Sequence, residues 1–123
     1  MKIFVSHPTA IDYKNELYAP IRNSELNKQH EFILPHEESE VPFNTKELLK
    51  DGSVDLVIAD VSVPSHGVGI ELGWAEILGI PIVCIYKEGS QYSGALSIVS
   101  NKFLMYTSRE NMISDLEGLL NNF

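Results

Sequence analysis

The sequence predicts a single-domain α/β protein with a five-stranded parallel sheet covered by helices on both faces. Three observations carry that expectation. Short β-favouring runs alternate with stretches of helical spacing along the chain, the pattern of right-handed βαβ crossovers. The run Val54 to Val61 is apolar almost throughout, broken only by Asp55 and Asp60. Continuous rather than alternating apolarity marks a strand buried on both faces. A chain of 123 residues, with no repeat, linker or low-complexity segment, suits one domain spanning 1–123.

Lys2 to Ser6 forms the first β-favouring run and stops at the breakers His7-Pro8-Thr9. From about Ala10 to Leu26, Ile11, Leu17, Tyr18 and Ile21 recur at near-helical spacing, with Pro20 expected to kink or shorten that helix. Glu31 to Leu34 reads as the second strand, followed by the acidic loop Pro35 to Ser39. Asn44 to Lys50 reads as a short helix capped by Asn44 or Thr45 and ended by Gly52. Val54 to Val61 is the central strand, Val68 to Leu78 a helix apolar over most of its circumference, and Ile80 to Tyr86 the next buried strand. A polar loop, Lys87 to Ser93, leads through a weakly helical stretch to a last strand, Phe103 to Tyr106. Met112, Ile113, Leu116, Leu119 and Leu120 then place a closing helix over residues 110–120. Assembled, these elements make a flavodoxin/Rossmann-like three-layer sandwich.

Composition narrows the partners. Nine basic against 17 acidic residues give a formal charge of −8, and Lys and Arg nowhere cluster as a phosphate-backbone footprint requires. Nucleic-acid polymers and anionic membranes are therefore not expected, while a small anion held by backbone N–H groups remains compatible. The single cysteine, Cys84, lies in the apolar run Pro81 to Tyr86 and reads as a buried residue. The first strand is too short for a signal-peptide core and no run approaches the length of a membrane span, so a cytoplasmic protein is expected. His7, His30, His36 and His66 show no metal-type pairing with one another or with Cys84. No metal and no cofactor are expected.

Ligands of such sheets bind beyond the carboxyl ends of the strands. The residues there are Ser6 and His7, Pro35 and His36, Asp60 to Ser65, Tyr86 and Lys87, and Tyr106 to Ser108. The richest segment is Pro64-Ser65-His66-Gly67-Val68-Gly69-Ile70-Glu71-Leu72-Gly73. Pro64, Gly67 and Gly69 suit a tight strand-to-helix connection, and the two glycines leave backbone N–H groups open to close approach. Ser65 adds a hydroxyl. Glu71 falls in the expected first helical turn, where the dipole favours an ionised carboxylate by ~0.3–1 kcal/mol. Such a group can act as nucleophile or base, or can simply be one of the acidic residues common at helix starts.

The stretch Val57 to Ala75, with its Pro-Ser-x-Gly-x-Gly-x-Glu-Leu-Gly-x-Ala pattern, resembles the nucleoside 2-deoxyribosyltransferase superfamily. It is most similar to the branch of 2′-deoxynucleoside 5′-monophosphate N-glycosidases. The close match covers about residues 54–86. The resemblance implies an enzyme that cleaves the N-glycosidic bond of a small nucleoside or nucleotide, by hydrolysis or by transfer to a second base. Glu71 matches the glutamate nucleophile that attacks C1′ and forms a covalent glycosyl-enzyme intermediate. Ser65 matches the serine that helps hold a 5′-phosphate. Glu47 stands where the family has an aspartate, eight residues ahead of Asp55, and is implied as a proton donor or sugar-hydroxyl ligand. A solvated charge on a helix face is the other reading of Glu47. Ser93 lies near a serine that a neighbouring subunit contributes, which implies a homodimer.

The chain departs from that pattern after its first strand. The monophosphate hydrolases carry a Gly-Ser-x-Arg-Gly-Gly type loop, whereas this chain has Ser6-His7-Pro8-Thr9-Ala10. Lys14 or Arg22 are the available substitutes for the missing arginine. His7 and His36 are placed to stack on or hydrogen-bond a base, or to be ordinary loop histidines; Ser6, Asp60, Gly67 and Gly69 complete the expected substrate contacts. Trp74 is read as packing against the sheet or a partner subunit, and Tyr18 and Tyr86 as core or rim packing residues or base-contacting rings. Two further readings stand beside the glycosidase. The opening Ile3-Phe4-Val5-Ser6-His7 is similar to the first strand of TIR domains, some of which cleave NAD with a helix-borne glutamate. A nucleotide-sensing module that has lost the chemistry is the non-enzymatic alternative.

Overall fold

Each of the five apolar runs becomes a strand of one parallel sheet in the computed structural model, which describes residues 1–123. The strands are β1 (Lys2–Ser6), β2 (Glu31–Ile33), β3 (Leu56–Asp60), β4 (Ile82–Lys87) and β5 (Phe103–Tyr106), in the order β2-β1-β3-β4-β5. Ile3 pairs with Leu56 and Ser6 with Ala59, while Asp60 pairs with Ile85. All of β3 is buried, as its continuous apolarity requires.

Alternation along the strands divides the core in two. Ile3, Val5, Leu56, Ile58, Val83 and Ile85 point to one face and pack with Leu17, Ile21, Met112 and Leu116. Phe4, Val57, Ala59, Ile82 and Cys84 point to the other and pack with Leu49, Val68, Leu72 and Ala75. The first face is covered by a wide π-helical turn, Lys14–Tyr18, running into α1 (Ala19–Arg22), by α2 (Leu26–Gln29) and by α5 (Arg109–Asn121). The second is covered by α3 (Thr45–Lys50), α4 (His66–Ile77) and a 3-10 turn, Gly94–Ile98. No helix is long and apolar enough to cross a membrane.

The structure revises two helices. The expected helix from Ala10 to Leu26 is broken into three pieces. The Ala19 N–H reaches back five residues to the Lys14 carbonyl just before Pro20, which then sits at the start of α1. Widening the ladder there accommodates a ring that has no N–H to donate. The helix expected to start at Val68 starts at His66, because the Ser65 hydroxyl caps it by accepting from the Val68 N–H at 3.3 Å. Glu71 therefore lies in the second turn of α4 and not the first, beyond the short reach of the terminal dipole. Gly67 and Gly69 lie inside α4, not in its connection to β3. The helix buries one edge, Val68, Leu72 and Ala75, and leaves Ile70 and Ile77 exposed.

Candidate active site

Strand order reverses between β1 and β3, so the chain leaves these neighbours toward opposite sides and opens a crevice at their carboxyl ends. A cleft of ≈ 360 Å³ lies there, and Glu71, Ser65, Gly67, Thr45, His7 and His36 are among its lining residues.

Glu71 is held from two other elements. Ser6, at the end of β1, donates its hydroxyl to Glu71 Oε1 at 2.8 Å, and Thr45, the first residue of α3, donates its hydroxyl to Oε2. Burial pushes the Glu71 carboxyl above its ordinary value, while the Thr45 and Ser6 hydrogen bonds and the neighbouring His36 pull it back. Thr45 is free for this task because Asn44 caps α3, its side chain accepting from the Glu47 N–H. The pattern around Asn44 and Thr45 marked a helix start but carried no sign of a contact with Glu71, 26 residues on.

The two histidines differ in what they can offer. His7 Nδ1 lies 2.9 Å from the Pro8 carbonyl, which only accepts, so Nδ1 carries the proton. Nε2 then accepts from the Tyr18 hydroxyl at 2.6 Å, and that hydroxyl in turn accepts from the His36 N–H at 3.0 Å. Burial pushes His7 below its ordinary value, which agrees with a neutral ring. Both nitrogens are thus occupied, and the ring, stacked on Tyr13 with centroids 4.5 Å apart, serves as packing. His36 uses Nδ1 toward the Ser39 carbonyl at 3.1 Å and makes no intramolecular hydrogen bond through Nε2.

Other expected residues lie elsewhere. Glu47 is exposed and is not among the cleft's lining residues. Asp60 is buried, accepting from the Tyr106 hydroxyl at 2.6 Å and the Ser62 N–H at 2.9 Å, and ties β3 to β5. Ser93 is exposed and caps the 3-10 turn. The Gly69 N–H is taken by the Ser65 carbonyl. Arg22 is committed to Glu37, at 2.6 Å, and to the Phe32 carbonyl, and neither Arg22 nor Lys14 lines the cleft. Trp74 lines it, whereas Tyr18 is buried beneath His7 and Tyr86 packs on Tyr92. No group of three or more His, Cys, Asp or Glu side chains converges as a metal site needs.

Gly67 is not required by the chain's own backbone. Its φ is not positive, and an added Cβ would meet only Ser65 Oγ, at 3.8 Å. Glycine within a helix costs ~0.5–1 kcal/mol relative to alanine. A side chain there would instead project at the cleft wall, so its absence leaves room for a ligand to approach α4.

No family model matches the chain. Among curated proteins it is 40% identical over 47 residues to a Syntrophotalea carbinolica protein named as a 2′-deoxynucleoside 5′-phosphate N-hydrolase, covering 38% of this chain and 33% of that one. It is 53% identical over 36 residues to the 5-hydroxymethyl-dUMP N-hydrolase of Rattus norvegicus, covering 29% of this chain and 22% of that one. The match thus spans a third or less of either relative's length. The solved structure of a Clostridium botulinum CMP N-glycosidase superimposes with a TM-score of 0.66 and 26% identity, over 95% of this chain and 99% of that one.

Proposed function

We propose, on the premise that this chain is a nucleoside 2-deoxyribosyltransferase-like protein, that it cleaves the N-glycosidic bond of a small nucleoside or nucleotide with Glu71 as nucleophile. The observation that carries this reading is the Glu71 carboxylate, pinned by the Ser6 and Thr45 hydroxyls at the edge of an open cleft where the sheet order reverses.

The chemistry follows from that placement. A carboxylate oxygen of Glu71 bonds to C1′ as the bond from C1′ to the base nitrogen breaks. The base departs with the electron pair and takes up a proton from solvent. Water then attacks C1′ as the bond from C1′ to the Glu71 oxygen breaks, and the water gives up one proton to solvent, so that the sugar leaves with the new hydroxyl and Glu71 is restored as carboxylate. The Ser6 and Thr45 donors serve both steps: they hold the attacking oxygen in place, and they stabilise the carboxylate as leaving group in the second. His36, through its unengaged Nε2, and the Gly67 approach supply substrate contacts, with Ser65 at the α4 start. Glu47 and Ser93 would enter only through a partner subunit or a movement of α3 and of the 3-10 turn.

Hydrolysis rather than transfer is the reading taken, in line with the hydrolase names of the relatives. A cytoplasmic homodimer belongs to the same proposal, supported by the family resemblance and by the exposed Ile77 and Ile98; size-exclusion chromatography with light scattering tests the dimer. The deciding experiment is chromatography of free base after incubation with (deoxy)nucleosides, their 5′-monophosphates and NAD, with Glu71→Gln as control. Base release by the wild type alone supports the proposal, and nicotinamide as the sole product would favour the TIR-like reading. Ligand-induced thermal stabilisation without any release would favour a sensing module, which the lack of Lys or Arg in the cleft also suits.

A further inference from the structure

The charges of the cleft point to a narrower substrate class. We propose that the site takes a nucleoside with a free 5′-hydroxyl and discriminates against the 5′-monophosphate; this inference rests on the glycosidase reading above. The substrates printed in the names of these similar proteins are all nucleotides, so the substrate inferred for this chain parts from theirs.

A phosphate dianion brought into a cleft needs compensating charge or several converging donors. No lining residue is Lys or Arg; the one ring nitrogen left unengaged is His36 Nε2, beside Glu71, and two lining residues are carboxylates, Glu71 inside and Glu40 at the exposed rim. Arg22, on α1, is held by Glu37, Asn27 and the Phe32 carbonyl, a set of partners that keeps its guanidinium engaged away from the cleft. His7 stands in the loop after β1, where burial disfavours its charged form and both nitrogens are used by Pro8 and Tyr18.

The start of α4 adds neutral donors but no charge. The Ser65 hydroxyl already accepts the Val68 N–H and the Gly69 N–H serves the helix ladder, which leaves only the His66 and Gly67 N–H groups at this end. An anion at this end would meet a helix dipole with no Lys or Arg behind it, and with the Glu71 carboxylate one and a half turns further along the same helix. A sugar hydroxyl faces no such opposition. It can donate to a carboxylate and accept from a hydroxyl, the chemistry that Glu40, Thr9 and Ser65 offer along the wall.

The test is kcat/KM for base release from matched pairs, each nucleoside against its own 5′-monophosphate, in both the ribo and deoxy series, with Glu71→Gln as the blank. The expected result is a preference for the nucleoside of at least about tenfold, a factor that one unfavourable close charge contact readily supplies. Glu40→Gln should narrow the ratio by raising monophosphate turnover, and the narrowing should be larger at low salt. Equal or better use of the monophosphate overturns the inference. If neither member of any pair releases base, the glycosidase reading falls separately, and titration calorimetry of the wild type with the same pairs decides the charge argument. Tighter nucleoside binding then upholds it, and tighter monophosphate binding, or none by either, overturns it.

Discussion

The Ser6 hydroxyl at the end of β1 lies 2.8 Å from Glu71 Oε1 on α4, a hydrogen bond between residues 65 apart in the chain. Parallel pairing of β1 with β3 brings them together: Ser6 sits beside Ala59, and the chain turns from β3 into α4 a few residues later. With Thr45 of α3 on the second oxygen, the carboxylate is fixed from two other elements at once.

Glu71→Gln should reduce base release by about a thousandfold or more while leaving the fold intact, since the amide fills the same space and the two hydroxyls can rotate to pair with it. Circular dichroism and the chromatographic assay together check this. Retained activity would remove Glu71 from the chemistry.

The same substitution has a stability consequence with a definite sign. Because burial raises the Glu71 pKa above its ordinary 4.5, the folded state holds this proton more tightly than the unfolded chain. Its contribution is therefore fully present below about 4.5 and is lost as pH rises through the folded-state value. Glu71→Gln should melt above the wild type at neutral pH, with the gap closing toward pH 4. Calorimetric Tm measured across that range tests it, and a gap that widens on acidification would reverse the sign assigned here.

Removing one donor at a time should move the acid limb of the rate profile. Ser6→Ala and Thr45→Val each take away a hydrogen bond that favours ionised Glu71, so the pKa governing kcat/KM should rise, by about one unit for each ~1.4 kcal/mol lost. Thr45→Val should cost more kcat/KM than Glu47→Gln, because Thr45 faces the cleft and Glu47 faces solvent. The opposite order would make Glu47 the working residue of α3.

Gly67→Ala should separate stability from function. The helix should gain ~0.5–1 kcal/mol in urea denaturation, since nothing in the chain obstructs the new methyl group. Substrate KM should rise, because that methyl occupies the approach to the cleft wall. A stabilised variant with unchanged KM would show that no ligand comes close to this turn.

Tyr18→Phe should destabilise the protein by about 1–3 kcal/mol, as it strips the partner from buried His7 Nε2 and from the His36 N–H. The His7 pKa, lowered by burial, stabilises the wild type above the ordinary 6.5, and that contribution is lost as pH falls through the folded-state value. His7→Gln should flatten the dependence of Tm on pH in that window, and an unchanged slope would place the titration elsewhere.

Much of this protein was legible in order of residues alone. The continuous apolar run of β3 required a doubly covered strand, and the alternation of strands and helices required a parallel sheet with a crevice expected at its carboxyl ends. The Pro-Ser-x-Gly-x-Gly-x-Glu pattern singled out Glu71 and Ser65, both of which line the cleft. What tertiary structure alone decided is what surrounds them. The capping of α4 by Ser65 moved Glu71 out of the helix's first turn, so that burial and two hydroxyls, not the dipole, set its charge. Thr45 reached Glu71 and Glu47 did not, because the helical period turned one of these α3 residues inward and the other to solvent. The pairing of His7 with Tyr18, and the absence of any Lys or Arg from the cleft, depend on how distant loops meet over the sheet edge. Spacing along a chain reports local periodicity; it does not report which separate elements the packing of two hydrophobic faces will bring within hydrogen-bonding distance.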